Sequence, residues 1–140
     1  MSEALVIDCS VSASWVLPDE HTPVAETLLR RVLEGDCSLI QPDLWWIETL
    51  NLLRTAVLRK RLTESGARKA LYFLKEIPLE TVGVSRESEF LVLDRALCHG
   101  LTAYDATYLV LAEMRGAELV TADRDLLALQ SDYSFIHPLA

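Results

Sequence analysis

Four carboxylates stand out by their neighbours: Asp8, Glu48, Asp105 and Asp123. Asp8 closes the short apolar run ALVID, and Asp123 follows a second such run, AELVT. Asp105 opens a helix, YDATYLVLAEM, whose surroundings are otherwise nonpolar, and Glu48 comes directly after Trp45, Trp46 and Ile47. Acids at strand ends and at a helix start face one crevice in a parallel α/β sheet, because such sheets place their sites beyond the carboxyl ends of the strands. Gathering acids there costs repulsion and desolvation unless a cation neutralises them. Oxygen-only donors select hard ions such as Mg2+ or Mn2+, and Mg2+ recruits substrate phosphates. The chemistry this points to is activation of water and stabilisation of charge on a phosphodiester under attack.

Taken singly, each acid has an ordinary explanation. Asp8 and Asp123 suit turns, since aspartate bonds its own backbone two residues on. Thr102 and Asp105 have the spacing of a capping box, and Glu48 can be a plain helical glutamate. Their joint placement is what argues for a site.

The elements that must position these acids alternate between strand and helix. Strands are expected at 4–8, 37–41, 79–84, 117–121 and 133–137. Helices are expected at 10–16, from Thr22-Pro23 to a stop at Gly35, at 43–62, from a Thr63 cap to 77, from a Ser85 cap to His99-Gly100, around Asp105, and at 125–129. Short connections between them argue for an α/β fold with a parallel-dominated sheet and helices on both faces. At 140 residues, with no repeat or linker, the chain reads as one domain, 1–140. On the helix 43–62, Glu48, Asn51, Thr55 and Arg59 share one face, which suggests a groove wall with an acid at one end and an arginine at the other.

Composition bounds the function. Hydrophobic content of 51% and charged content of 24% fit a globular protein, and no apolar run reaches the roughly 18 residues that span a bilayer. The start, MSEALVID, lacks the basic n-region of a signal peptide. Cys9, Cys37 and Cys98 are too scattered for a disulfide framework or zinc site and read as reduced thiols in a cytoplasm. The net charge of −8 works against a generic nucleic-acid binder, yet Arg54, Arg59, Lys60, Arg61, Arg68 and Lys69 crowd one stretch against a single acid, Glu64. Alone, that stretch reads as solvated helix faces. His21, His99 and His137 lack partners at ligand spacing, and Trp15, Trp45, Trp46, Tyr104 and Tyr108 read as packing residues more than base-stacking platforms.

VIDCSV around Asp8, WWIETLN around Glu48, LTAYDATYLVLA around Asp105 and LVTADRDL around Asp123 resemble the four motifs of the PIN domain, in the flavour of VapC-type toxins. The similarity covers nearly the whole chain in the expected order. It implies a three-layer α/β/α fold, metal-dependent cleavage of single-stranded or loop RNA, a homodimer, and an antitoxin partner docking over the active-site groove. It makes Asp8, Glu48, Asp105 and Asp123 the metal-binding and catalytic acids, with Mg2+ or Mn2+ as the ion. Ser10 and Thr121 match positions that support the acids by hydrogen bonding, Asn51 a polar position after the glutamate, and Asp125 an auxiliary acid. It also turns Arg54, Arg59, Lys60 and Arg61 into candidate contacts for RNA phosphates. Competing readings are a housekeeping PIN nuclease in RNA processing and a non-catalytic Mg-binding signalling or binding module. No lysine lies in the strand segments as a receiver module requires, and no GxGxxG follows the first strand as a dinucleotide site requires.

Overall fold

The computed structural model describes residues 3–83 and 85–139. In chain order the elements are β1 (Glu3–Ile7), α1 (Cys9–Val16), a 3-10 turn (Pro18–Glu20), α2 (Pro23–Leu33), β2 (Cys37–Pro42), α3 (Asp43–Leu58) and α4 (Glu64–Glu76). There follow β3 (Leu79–Val82), α5 (Arg86–His99), α6 (Ala103–Arg115), β4 (Glu118–Thr121), α7 (Arg124–Leu127) and β5 (Ile136–Pro138). The strands form one sheet in the order β3-β2-β1-β4-β5, and all four pairings are parallel. α1 packs on α2 and α3, and α3 on α4, while α5 packs on α6. The result is a three-layer α/β/α fold.

This order carries a topological consequence. The chain steps outward from β1 to β2 and β3, then returns to place β4 on the other side of β1. The direction reverses between β1 and β4, which pair through Val6 with Leu119 and Ile7 with Val120. A crevice opens at such a reversal, beyond the carboxyl ends of the two strands. Asp8 and Asp123 leave the sheet at that point.

The central strands are buried as their composition demands. Leu5, Val6 and Ile7 are all shielded from solvent, as a strand covered on both faces must be. α6 spans β1, β2 and β4 and buries Ala106, Tyr108, Leu109, Val110 and Ala112 against them. Burial on so much of its circumference makes this helix the rigid mount for Asp105. Gln41, fully buried at the end of β2, has a structural task that its sequence context hides. Its amide accepts from the Ile7 nitrogen at 2.9 Å and donates to the Ile7 carbonyl at 2.7 Å. A side chain thus completes the backbone pairing of the last β1 residue, immediately before Asp8.

The caps fall where turn chemistry places them. Thr22, Thr63 and Ser85 receive backbone N–H groups at the starts of α2, α4 and α5, and Gly35 and Gly100 take positive φ beyond the helix ends. Several boundaries differ from expectation. The helix expected over 43–62 stops at Leu58, because Lys60 adopts a left-handed conformation (φ 60°) that breaks the hydrogen-bond ladder. The third strand ends at Val82, with Val84 outside the described residues. The short helix after Asp123 begins at Arg124, and the last strand shifts to Ile136–Pro138 after a turn at Tyr133.

Candidate active site

Asp8 ends β1 and caps α1. Only 5% exposed, it has both carboxylate oxygens engaged. Oδ1 accepts from the Ser10 nitrogen at 3.1 Å and from the Ser10 hydroxyl, and Oδ2 accepts from the Thr121 hydroxyl at 2.7 Å. The same two hydroxyls accept from the other side of the crevice. Ser10 Oγ takes the Ala122 nitrogen at 2.9 Å, and Thr121 Oγ1 takes the Asp123 nitrogen at 2.9 Å. Ser10 and Thr121 therefore clip the end of β1 to the β4–α7 turn and fix Asp8 relative to Asp123. Burial still pushes the Asp8 carboxyl above its ordinary range, with Asp123 adding repulsion against the lowering effect of the hydrogen bonds.

Asp123 caps α7. Its Oδ1 accepts from the Asp125 nitrogen at 2.9 Å and more loosely from Leu126 at 3.4 Å. The turn role that its sequence context suggests is real and occupies one oxygen. Asp105 differs. The Thr102 hydroxyl caps the Asp105 nitrogen at 3.1 Å, but the reciprocal half of a capping box is absent, and among the described residues nothing donates to the Asp105 carboxylate. Burial, followed by repulsion from Asp123, Asp8, Glu48 and Asp125 in that order, raises its pKa to about 6. Four acids act on the Asp105 carboxylate, so the five share one field.

Carboxylate oxygens of Asp105, Asp123 and Asp125 lie within 4.8 Å of one another. Asp125, expected only as an auxiliary acid, thus belongs to the tightest trio, while Asp8 and Glu48 flank it. Glu48 sits half-buried on α3, where its Oε1 accepts from the Tyr108 hydroxyl at 2.5 Å. The Cys9 sulfur packs beside this pair, 3.6 Å from Thr49 Oγ1 and 4.0 Å from Glu48 Oε1, and burial lifts its thiol to about 11. Burial likewise keeps the Tyr108 phenol protonated and a donor. Tyr108, Cys9, Thr49 and Gln41 are the residues of the site's frame that sequence reasoning overlooks. The one available signal is the three-residue spacing that puts Tyr108 on the same face of α6 as Asp105.

From the acids a groove of about 660 Å³ runs between α1 and α3, lined by Ser10, Glu48, Asn51, Thr55 and Arg61, with Tyr104 exposed at its rim. The polar stripe of α3 does form a wall. Its far end is held by Arg61 and not by Arg59, because the helix has already stopped. Arg61 is committed elsewhere: its guanidinium grips Asp19 in two bonds of 2.9 Å and Glu20 at 2.5 Å, and these acids raise its pKa further. Arg54 lines a separate cleft between α3 and α4, and Arg59 and Lys60 are exposed in the turn beyond α3. The tryptophans are packing residues. Trp45 is fully buried, Trp15 donates to the Ala25 carbonyl, and Trp46 stacks edge-on against Trp45. The histidines stand apart from the acid trio, with His99 bonded to Tyr133 and His137 to Glu118.

The donor set fits a hard divalent cation. It offers only oxygens near the opening, an Asp105 carboxylate without a hydrogen-bond donor, and a second Asp123 oxygen left over from capping. Clustered carboxylates at this separation repel one another, and a bound cation relieves the cost.

The model of the PIN domain family matches residues 5–131. Ribonuclease VapC3 of Pyrobaculum aerophilum is 33% identical over 126 residues, covering 87% of this chain and 91% of the relative. Among solved structures, VapBC2 of Rickettsia felis, bound to a DNA fragment from its promoter, shares the fold with a TM-score of 0.71 at 12% identity, over 96% of this chain and 98% of the other. A toxin–antitoxin complex from Klebsiella pneumoniae gives a TM-score of 0.64 at 14% identity, over 97% and 98% of the two chains.

Proposed function

The chain belongs to the PIN domain family, of the VapC type, and we propose that it is a metal-dependent endoribonuclease, the toxin of a toxin–antitoxin pair. The observation that carries this reading is the unbonded Asp105 carboxylate facing Asp123 and Asp125 at the β1–β4 switch point. The kinship to a ribonuclease at 33% identity supports the choice of RNA as substrate.

In this reading the whole chain is one nuclease domain, and Asp8, Glu48, Asp105 and Asp123 hold Mg2+ or Mn2+ with help from Asp125. When bound, the ion supplies a lowered water pKa and charge neutralisation at a phosphodiester. The chain's own residues supply order. Ser10 and Thr121 hold Asp8 still by bonding to both its oxygens, with Oδ2 taking only the Thr121 hydroxyl and so open to a further partner, and the α7 cap turns one Asp123 oxygen inward and leaves the other available. Asp105 responds to its surroundings, since among the described residues no donor balances its charge. Single-stranded or loop RNA lies in the groove beyond Glu48, with Asn51 available to its sugar and phosphate. Arg54, Arg59 and Lys60 attract the backbone from the groove's outskirts, whereas Arg61 serves the fold by tying the 3-10 turn to the end of α3.

An antitoxin covers the same groove, the protein acts as a homodimer, and it works in the cytoplasm. Among the described residues no helix is long and apolar enough to cross a membrane. The test is induced expression in a cell lacking the partner. Growth arrest by the wild type and none by Asp105→Asn or Asp123→Asn, at equal protein level, is the expected result. Arrest by the variants as strong as by the wild type removes the nuclease reading.

A further inference from the structure

We propose that Tyr108 is a positioning residue for Glu48, fixing one carboxylate oxygen so that the other is presented to the site. The inference rests on the preceding reading of Glu48 as part of the metal site. Tyr108 lies one turn after Asp105 on α6 and is 1% exposed, so its ring is anchored in the core. Its hydroxyl crosses to α3 and donates to Glu48 Oε1 at 2.5 Å. The Cys9 sulfur, 3.9 Å from the Tyr108 oxygen and 4.0 Å from Glu48 Oε1, fills the space beside that bond. Among the described residues both contacts to the Glu48 carboxylate fall on Oε1, and nothing donates to Oε2.

The physical effect is preorganisation. Glutamate is among the side chains that lose most rotamer freedom on ordering. A buried phenol spends that entropy during folding, so that ion binding does not have to. Thr121 and Ser10 do the same for Asp8, and Asp123 is held by its helix cap. Tyr108 completes the pattern for Glu48, coupling α3 to the same helix that mounts Asp105.

Tyr108→Phe removes one oxygen and keeps the ring, and it is read in the full chain purified free of partner. Three quantities are measured: Mn2+ affinity by calorimetry, kcat and KM on a labelled RNA, and the melting temperature. Loss of a group that orients a metal ligand typically costs 10–100-fold in affinity or activity. The expected result is a fall of that size in Mn2+ affinity or kcat, with KM for RNA and the melt little changed. In a Glu48→Gln background the same substitution should change nothing further. Equal Mn2+ affinity and kcat in wild type and Tyr108→Phe overturns the inference. So does an undiminished effect in the Glu48→Gln background, which marks Tyr108 as acting through the fold. A wild type that binds Mn2+ but cuts no RNA removes the nuclease reading alone, since the affinity comparison still decides the role of Tyr108. A wild type that binds no Mn2+ overturns both.

Discussion

Replacing Asp105 with asparagine should stabilise the metal-free protein at neutral pH, a sign opposite to most substitutions near a core. The folded pKa of about 6 stands above the unfolded value of 3.8, so the native state holds the proton more tightly. Stability from this group is therefore fully present below about pH 4, is lost as pH rises through about 6, and stays lost above it. The gap of roughly two units corresponds to about 3 kcal/mol. Asp105 is only half-buried, and solvent screening reduces this to about 1–2 kcal/mol. Ionised Asp105 also gains up to about 0.5 kcal/mol in the first turn of α6, which asparagine forfeits. The net expectation is about 1 kcal/mol, or about 3 °C in melting temperature for a chain of this size. The assay is thermal denaturation of wild type and Asp105→Asn in chelator from pH 4 to pH 7.5. The difference should be near zero at pH 4 and reach about +3 °C for the variant at pH 7. Excess Mg2+ should reverse it, because an ion at a hundredfold its Kd adds about 2.7 kcal/mol to the wild type. A difference that is flat with pH, or a variant less stable at pH 7 in chelator, refutes the account of Asp105 as a carboxylate under repulsion.

Gln41→Leu should destabilise by about 2–4 kcal/mol in urea denaturation, because it leaves the buried Ile7 nitrogen and carbonyl without partners. Thr121→Val, which keeps the shape but removes the clip between Asp8 and Asp123, should cost about 1–3 kcal/mol and lower cleavage activity together. Thr121→Ser should recover most of both, as read by denaturation and an RNA cleavage assay. For RNA affinity as a function of salt, Arg59→Ala and Lys60→Ala should each reduce the slope of log K by about 0.7, the value for one lost contact to a single strand. Arg61→Ala should leave that slope unchanged, because Asp19 and Glu20 already occupy its guanidinium.

Asp8 and Asp123 are legible in the sequence because each follows an apolar strand run at a turn, and Glu48 and Asp105 because each is a carboxylate among apolar helix neighbours, where burial and polarity conflict. Ser10 and Thr121 are legible only through the family resemblance; in the structure both donate to the Asp8 carboxylate. Asp125 is ambiguous by position, since a residue two after a cap is also where a helix start favours an acid. The structure shows its oxygen close to Asp105 and Asp123 whatever its share in the cap. Gln41 and Tyr108 escape a linear reading because their partners, Ile7 and Glu48, lie 34 and 60 positions away. Local periodicity marks both as strand end or core and says nothing of the hydrogen bond. Arg61 escapes for the same reason, its partners lying on the 3-10 turn 41 and 42 positions earlier. Strand order is also invisible in the pattern, and with it the reversal that brings Asp8 beside Asp123.

The central claim, that the acids at the β1–β4 reversal make this chain a metal-dependent nuclease, is tested most directly by incubating the partner-free protein with total cellular RNA. The reaction is run with Mg2+ or Mn2+, with chelator, and beside Asp123→Asn shown to be folded. The account predicts discrete cleavage products that need the ion and vanish in the variant. Products that persist in chelator, or equal cutting by wild type and variant, would contradict it.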